Sequence, residues 1–110
     1  MQIREQFNIF KNTNTPLVYE IDFTRSDILK IQVSGDGSCA IKVYGRLDKK
    51  SEYSQMSIIQ DIDYSFIDTI VGKGVYTVSA TGYQQLKIDV ESTQDTLTCI
   101  ANEVVEVWRT

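Results

Sequence analysis

Apolar and polar side chains alternate with period two along most of the chain. Leu17, Tyr19, Ile21 and Phe23 are spaced by Val18, Glu20 and Asp22, and Leu29, Ile31 and Val33 by Lys30 and Gln32. Cys39, Ile41, Val43 and Gly45 are spaced by Ala40, Lys42 and Tyr44. Tyr76, Val78 and Ala80 are spaced by Thr77 and Ser79, and Leu86, Ile88 and Val90 by Lys87 and Asp89. Successive side chains of a strand point to opposite faces, so each run predicts a strand with one face on a core and the other in water. Residues 3–10 predict a further strand with Phe7 and Ile9 on one face. Residues 96–108 predict one long strand, or two interrupted near Asn102-Glu103. Met56 to Ile62 fits a strand with an irregularity, and the spacing of Ile59, Ile62 and Phe66 predicts one short helical turn around Tyr64 to Ile70.

Turn-forming residues separate these runs. Ser34-Gly35-Asp36-Gly37-Ser38 joins two alternating runs and reads as a β-hairpin turn. Asn12-Thr13-Asn14-Thr15-Pro16, Gly72-Lys73-Gly74, Thr81-Gly82 and Ser92-Thr93-Gln94-Asp95 mark the others. Eight or nine short strands at a spacing of roughly 8–12 residues predict an all-β fold, an antiparallel β-sandwich of jelly-roll or immunoglobulin-like order. No strand–helix alternation, internal repeat or linker interrupts the pattern, so residues 1–110 are expected to form a single β-sandwich domain.

Charge narrows the partners. The net charge is −4, and the basic residues are scattered, with Lys49-Lys50 the adjacent pair. Nucleic-acid binding draws most of its affinity from clustered cations on phosphate, so no nucleic-acid partner is expected. No apolar run approaches the ~18 residues that a membrane span needs, so no membrane partner is expected either. Met1-Gln2-Ile3-Arg4-Glu5-Gln6 has no long apolar core, and synthesis in the cytosol without a signal peptide is the expectation. Cys39 and Cys99 each lie within an alternating apolar run, which predicts buried thiols rather than a disulfide framework.

Candidate chemistry is sparse. The chain contains no histidine, which removes the commonest general base and transition-metal ligand. Two cysteines distant in sequence do not make a structural zinc site. Asp61 and Asp63 flank Ile62 and would share one side of a strand, as a carboxylate pair for glycoside hydrolysis or calcium requires. Solvated aspartates at a strand end are the simpler reading. Asp36 lacks the further acidic positions of a calcium loop, and the glycine-rich turn around it lacks the lysine and following helix of a phosphate loop. No catalytic residue, cofactor or metal is expected. Tyrosine and tryptophan combine large contact area with a polar tip. Tyr53 and Tyr64, in the least regular stretch, and Tyr83, after a turn and on the face opposite Leu86 and Ile88, are therefore the candidate surface contacts; Trp108 lies near the C-terminus.

The residues from Ile28 to Ala101 carry a further pattern. Val43-Tyr44-Gly45-Arg46-Leu47-Asp48 is followed by a polar connection and Ile58-Ile59-Gln60-Asp61-Ile62. Gly74-Val75-Tyr76-Thr77-Val78 and Gly82-Tyr83-Gln84-Gln85-Leu86-Lys87-Ile88-Asp89-Val90 come after. This succession resembles small β-sandwich modules in the virions of tailed phages and prophage-derived particles, as head decoration, fibre or tail proteins. Those modules often carry a tryptophan after the Gly-x-x-Asp segment, where Tyr53 is the nearest aromatic here. The resemblance implies a non-catalytic structural or decoration module located in the virion. Its partners would be other virion proteins or itself as a homo-oligomer. The exposed tyrosines expected on a sandwich support the alternative of a carbohydrate-binding module in a receptor-binding assembly, with a glycan as partner.

Overall fold

The computed structural model describes residues 2–22 and 26–106, with side chains over 6–22 and 28–103. Ten strands and no helix are found among the described residues: β1 (Gln2–Lys11), β2 (Leu17–Asp22), β3 (Ser26–Gly35), β4 (Ala40–Arg46), β5 (Ser54–Gln55), β6 (Ile58–Gln60), β7 (Phe66–Ile67), β8 (Gly74–Ser79), β9 (Gln85–Ser92) and β10 (Leu97–Glu106). They form a six-stranded sheet of order β1-β10-β3-β8-β6-β7 and a four-stranded sheet of order β2-β9-β4-β5. Every paired neighbour is antiparallel. This is the all-β sandwich that the alternation predicts.

The inward faces are the ones the alternation names. Leu29, Ile31 and Val33 of β3, Ile41 and Val43 of β4, and Leu86, Ile88 and Val90 of β9 have at most 2% of their surface exposed. Leu97, Cys99 and Ala101 of β10, which lies beside β3 in the six-stranded sheet, are completely buried as well. Burying side chains of this size is worth about 1.5–3 kcal/mol each relative to leaving them in water. Both cysteines are buried and free, and burial pushes the Cys99 thiol up to about 12. Phe23 and Trp108 lie outside the described residues.

Three local expectations are corrected, and one open alternative is decided. The Ser34–Ser38 turn does not close a hairpin: β3 belongs to the six-stranded sheet and β4 to the four-stranded one, so the chain turns a corner between layers. Gly35, at φ +109°, makes that corner where a Cβ would collide with the Thr96 carbonyl, and the Thr96 hydroxyl donates to the Asp36 carbonyl. The β10 strand runs unbroken through Asn102 and Glu103, because β1 and β3 pair with it on both sides there. Residues 64–70 form no helical turn. They make β7, after which Ile70 exchanges backbone hydrogen bonds of 2.8 and 3.0 Å with Ile41 of the opposite sheet. The two strands beyond the expected eight or nine reflect the two-residue β5 and β7, too short to show a period.

The segment from β5 to Val71 is thus a strap that crosses between sheets. Its crossings are tied by the Gln55 side-chain amide donating to the Asp68 carbonyl at 3.1 Å and by Cys39 N–H donating to the Val71 carbonyl at 3.0 Å. The other flank is closed by Phe7 of β1 against Tyr19 of β2, edge to face with ring centroids 6.0 Å apart. Between β6 and β7 the strap throws out a short hairpin, and this is where the candidate site lies.

Candidate functional site

The three tyrosines singled out from the sequence lie in different surroundings. Tyr53 lies over the outer face of the four-stranded sheet. The Arg46 guanidinium sits 4.4 Å and the Lys87 ammonium 4.5 Å from its ring centroid, and Lys87 also lies 4.9 Å from the Tyr44 ring. Lys87 of β9 is registered opposite Tyr44 of β4 and Glu20 of β2, which fixes the cation between rings and carboxylate. Cations over aromatic faces are attracted by the ring quadrupole. The Tyr53 hydroxyl is enclosed, and burial, then the Glu20 charge, hold its phenol above the ordinary range. Tyr53 is therefore committed to its own sheet.

Tyr83 is also half-buried, and its position corrects the sequence reading. It precedes β9 and packs against the core, where a Cβ on Gly45 would stand 2.6 Å from its ring and 2.6 Å from the Met56 sulfur. Gly45 is inward-facing on β4, so its lack of a side chain is what admits the Tyr83 ring. Neither ring offers a free face comparable with that of Tyr64.

Tyr64 is 80% exposed, and it stands beside two further exposed residues, Ile62, 91% exposed, and Phe66, 72% exposed. All three belong to the β6–β7 hairpin, residues 58–67, at the edge of the six-stranded sheet. Its tip is tightly held. Gln60 N–H donates to the Ser65 carbonyl and Tyr64 N–H to the Gln60 carbonyl, both at 2.8 Å. Asp63 accepts from the Ser65 backbone N–H at 3.0 Å and from its hydroxyl at 2.7 Å. The Ser65 hydroxyl and then its backbone N–H hold the Asp63 carboxyl below the usual range. Tyr64 itself sits at φ +60°, a left-handed conformation that is uncommon for a bulky side chain. The hydrogen bonds around it over-determine that conformation, and they aim the ring outward.

The base of the hairpin is anchored to the sheet by a polar cluster. Lys30 of β3 donates to Asp61 at 2.7 Å and to the Thr77 hydroxyl at 2.7 Å, while Thr77 of β8 donates to the other Asp61 oxygen at 2.6 Å. Register explains the meeting: Thr77 is paired with Lys30 on one side and with Ile59 on the other. Partial burial raises the Asp61 pKa, and the hydrogen bonds from Lys30 and Thr77 outweigh it, so the carboxyl lies below its ordinary value. Lys30, Ile59, Asp61, Tyr64 and Thr77 line a shallow open groove of 390 Å³.

Asp61 and Asp63 are in a turn, not on a strand, and each has its own partners, so they do not make a common carboxylate site. Among the described residues no group of three or more His, Cys, Asp or Glu side chains is placed to hold a metal ion. What the arrangement offers is a rigid apolar projection. Its charge is one-sided: between Lys50 and Lys73 the sequence contains Glu52, Asp61, Asp63 and Asp68 and no lysine or arginine. The signal was present in the alternation of Ile62, Tyr64 and Phe66, flanked by aspartates, but period two does not say which face is the wet one.

No protein-family model matches the chain, and no curated protein matches it. Two solved structures share its fold. The SPBc2 prophage-derived protein YomS superposes with a TM-score of 0.81 at 19% identity, over 94% of this chain and 95% of that one. The PBSX exported protein XepA superposes with a TM-score of 0.81 at 15% identity, over 94% of this chain and 38% of that one. The chain thus spans nearly all of YomS and under half of XepA. At these identities the likeness is one of fold.

Proposed function

We propose that the chain is a non-catalytic structural module of a phage or phage-like particle, made in the host cytoplasm and working through protein–protein assembly in the virion. The observation that carries this reading is the fold, shared from end to end with a prophage-derived protein of nearly the same extent. The exposed hairpin supports it, since large apolar side chains held rigidly in water mark contact surfaces. Capsid decoration and a place in the tail are both compatible with such a module. Assembly takes one of two forms, a homo-oligomer or docking on a larger virion protein.

Carbohydrate binding is the second reading, favoured by one feature, the exposed Tyr64 ring beside the Lys30–Asp61–Thr77 groove. Two facts count against it. The donors and acceptors of that cluster are spent on one another, and Tyr53 and Tyr83 do not join Tyr64 in a row of stacking platforms.

Light scattering across a concentration series, followed by co-sedimentation with purified particles, tests the assembly reading. A closed oligomer supports the first form. A monomer that sediments with particles supports the second. A monomer that does not associate with particles, yet binds oligosaccharides on a glycan array, overturns the proposal in favour of the second reading.

A further inference from the structure

The exposed hairpin constrains the chemistry of what it meets. Its three outward side chains, Ile62, Tyr64 and Phe66, are apolar or amphipathic and largely in water. A surface helix or strand scatters single apolar residues without consequence, but three clustered on one projecting tip are a contact surface. The tip is already fixed by the Gln60–Ser65 and Asp63–Ser65 hydrogen bonds and by the Lys30–Asp61–Thr77 anchor. A partner would thus not have to meet the ordering cost that weakens binding by flexible loops.

Charge selects among occupants. Asp63 and Asp68 flank the apolar tip with exposed carboxylates, and Asp63 is held ionised by Ser65. An anionic lipid leaflet would repel this rim. A second copy of the chain is a poor match as well, because most of its described cations are engaged at home. Lys30 is bound to Asp61, Lys42 to Glu91 and Lys49 to Asp22, while Arg46 is bound to Gln85 and Lys87 lies over tyrosine rings. The exposed Leu47, at the far end of β4 from the hairpin, is surrounded by both signs, Asp48 and Glu52 beside Lys49 and Lys50.

We infer that the β6–β7 hairpin is a docking finger for a different protein, one that presents an apolar cleft bordered by lysine or arginine. Ile62, Tyr64 and Phe66 fill the cleft, and Asp63 and Asp68 meet its basic rim. This rests on the assembly reading above and adds to it the surface used and the character of the partner.

Photo-crosslinking in cells producing the particle tests it. p-Benzoylphenylalanine is placed at Phe66, which is exposed enough to accept it, and in a parallel variant at Leu47 as a control on the opposite end. Cross-links from position 66 to a peptide of another protein, apolar and adjacent to lysine or arginine, are expected, without the same product from position 47. Ile62→Ser should lower the yield about tenfold or more, as loss of a central contact does. Asp68→Lys combined with Asp63→Asn, which keeps the acceptor for Ser65, should lower it too, because attraction becomes repulsion. Cross-links from position 66 to a second copy of the chain overturn this inference and leave the assembly reading standing. Cross-links to lipid, equal products from both positions, or no product from position 66 overturn it too. If the chain is also missing from the particles, the assembly reading falls with it.

Discussion

At the scale of single residues, Gly45 shows how one position couples the outer sheet to the core. It occupies an inward place on β4 that would otherwise carry a side chain, and the Tyr83 ring and Met56 sulfur fill the space instead. A methyl group there meets both at 2.6 Å, closer than van der Waals contact allows. Gly45→Ala is expected to destabilise the fold by about 1–3 kcal/mol, the usual cost of overpacking, as measured by urea unfolding. An unchanged midpoint would show that Tyr83 moves aside freely and is not part of the core. The sequence exposed the alternation that ends at Gly45, but not Tyr83's return into the same space. That contact joins residues far apart along the chain and has no periodicity of its own. Tyr53 illustrates the same limit, since nothing local to Glu52-Tyr53-Ser54 announces that Arg46 and Lys87 will close over its ring.

At the scale of elements, the β6–β7 hairpin depends on one ion-paired anchor. The folded Asp61 carboxyl titrates below its unfolded value, set near 3.8, because Lys30 and Thr77 bind the charged form more strongly than burial disfavours it. A depressed folded pKa contributes stability that is present above the unfolded pKa and lost as pH falls through the folded one. Asp61→Asn should therefore lower the melting temperature at pH 7, and the difference from the parent chain should shrink as pH drops below about 3.8. A difference that stays constant with pH would show that Asp61 acts through shape rather than charge. The hairpin was only partly legible in the sequence. Tyr64 stood out as an aromatic in an irregular stretch, whereas the exposure of Ile62 and Phe66 was not legible, because a hydrophobic residue in a short strand carries no mark of which side is wet. The near-helical spacing of Ile59, Ile62 and Phe66 misled for a related reason. Ile59 and Phe66 face each other across a strand pair, a geometry that sequence separation alone cannot distinguish from a helical turn.

For the whole molecule, the layers follow from the alternating runs, and the connections between them do not. Leu29–Val33, Ile41–Val43 and Leu86–Val90 each announced a half-buried strand, and each is one. The Gly35–Ser38 turn was read as closing a hairpin, yet it carries the chain from one sheet to the other, since a glycine turn between two strands serves either purpose. The strap between β5 and Val71 supplies a further crossing, and its short strands place the β6–β7 hairpin at the rim, away from the packed faces. What the described residues put forward is a surface, the exposed apolar side chains of the hairpin. In the proposed role the chain acts as a stoichiometric part of a particle. The most direct test is quantitative mass spectrometry of particles purified through a density gradient. The chain is expected to peak with the particles at a constant ratio to the major structural protein, and the ratio to fall when Ile62 and Phe66 are replaced by serine. A chain that stays at the top of the gradient, with none in the particle fractions, would contradict it.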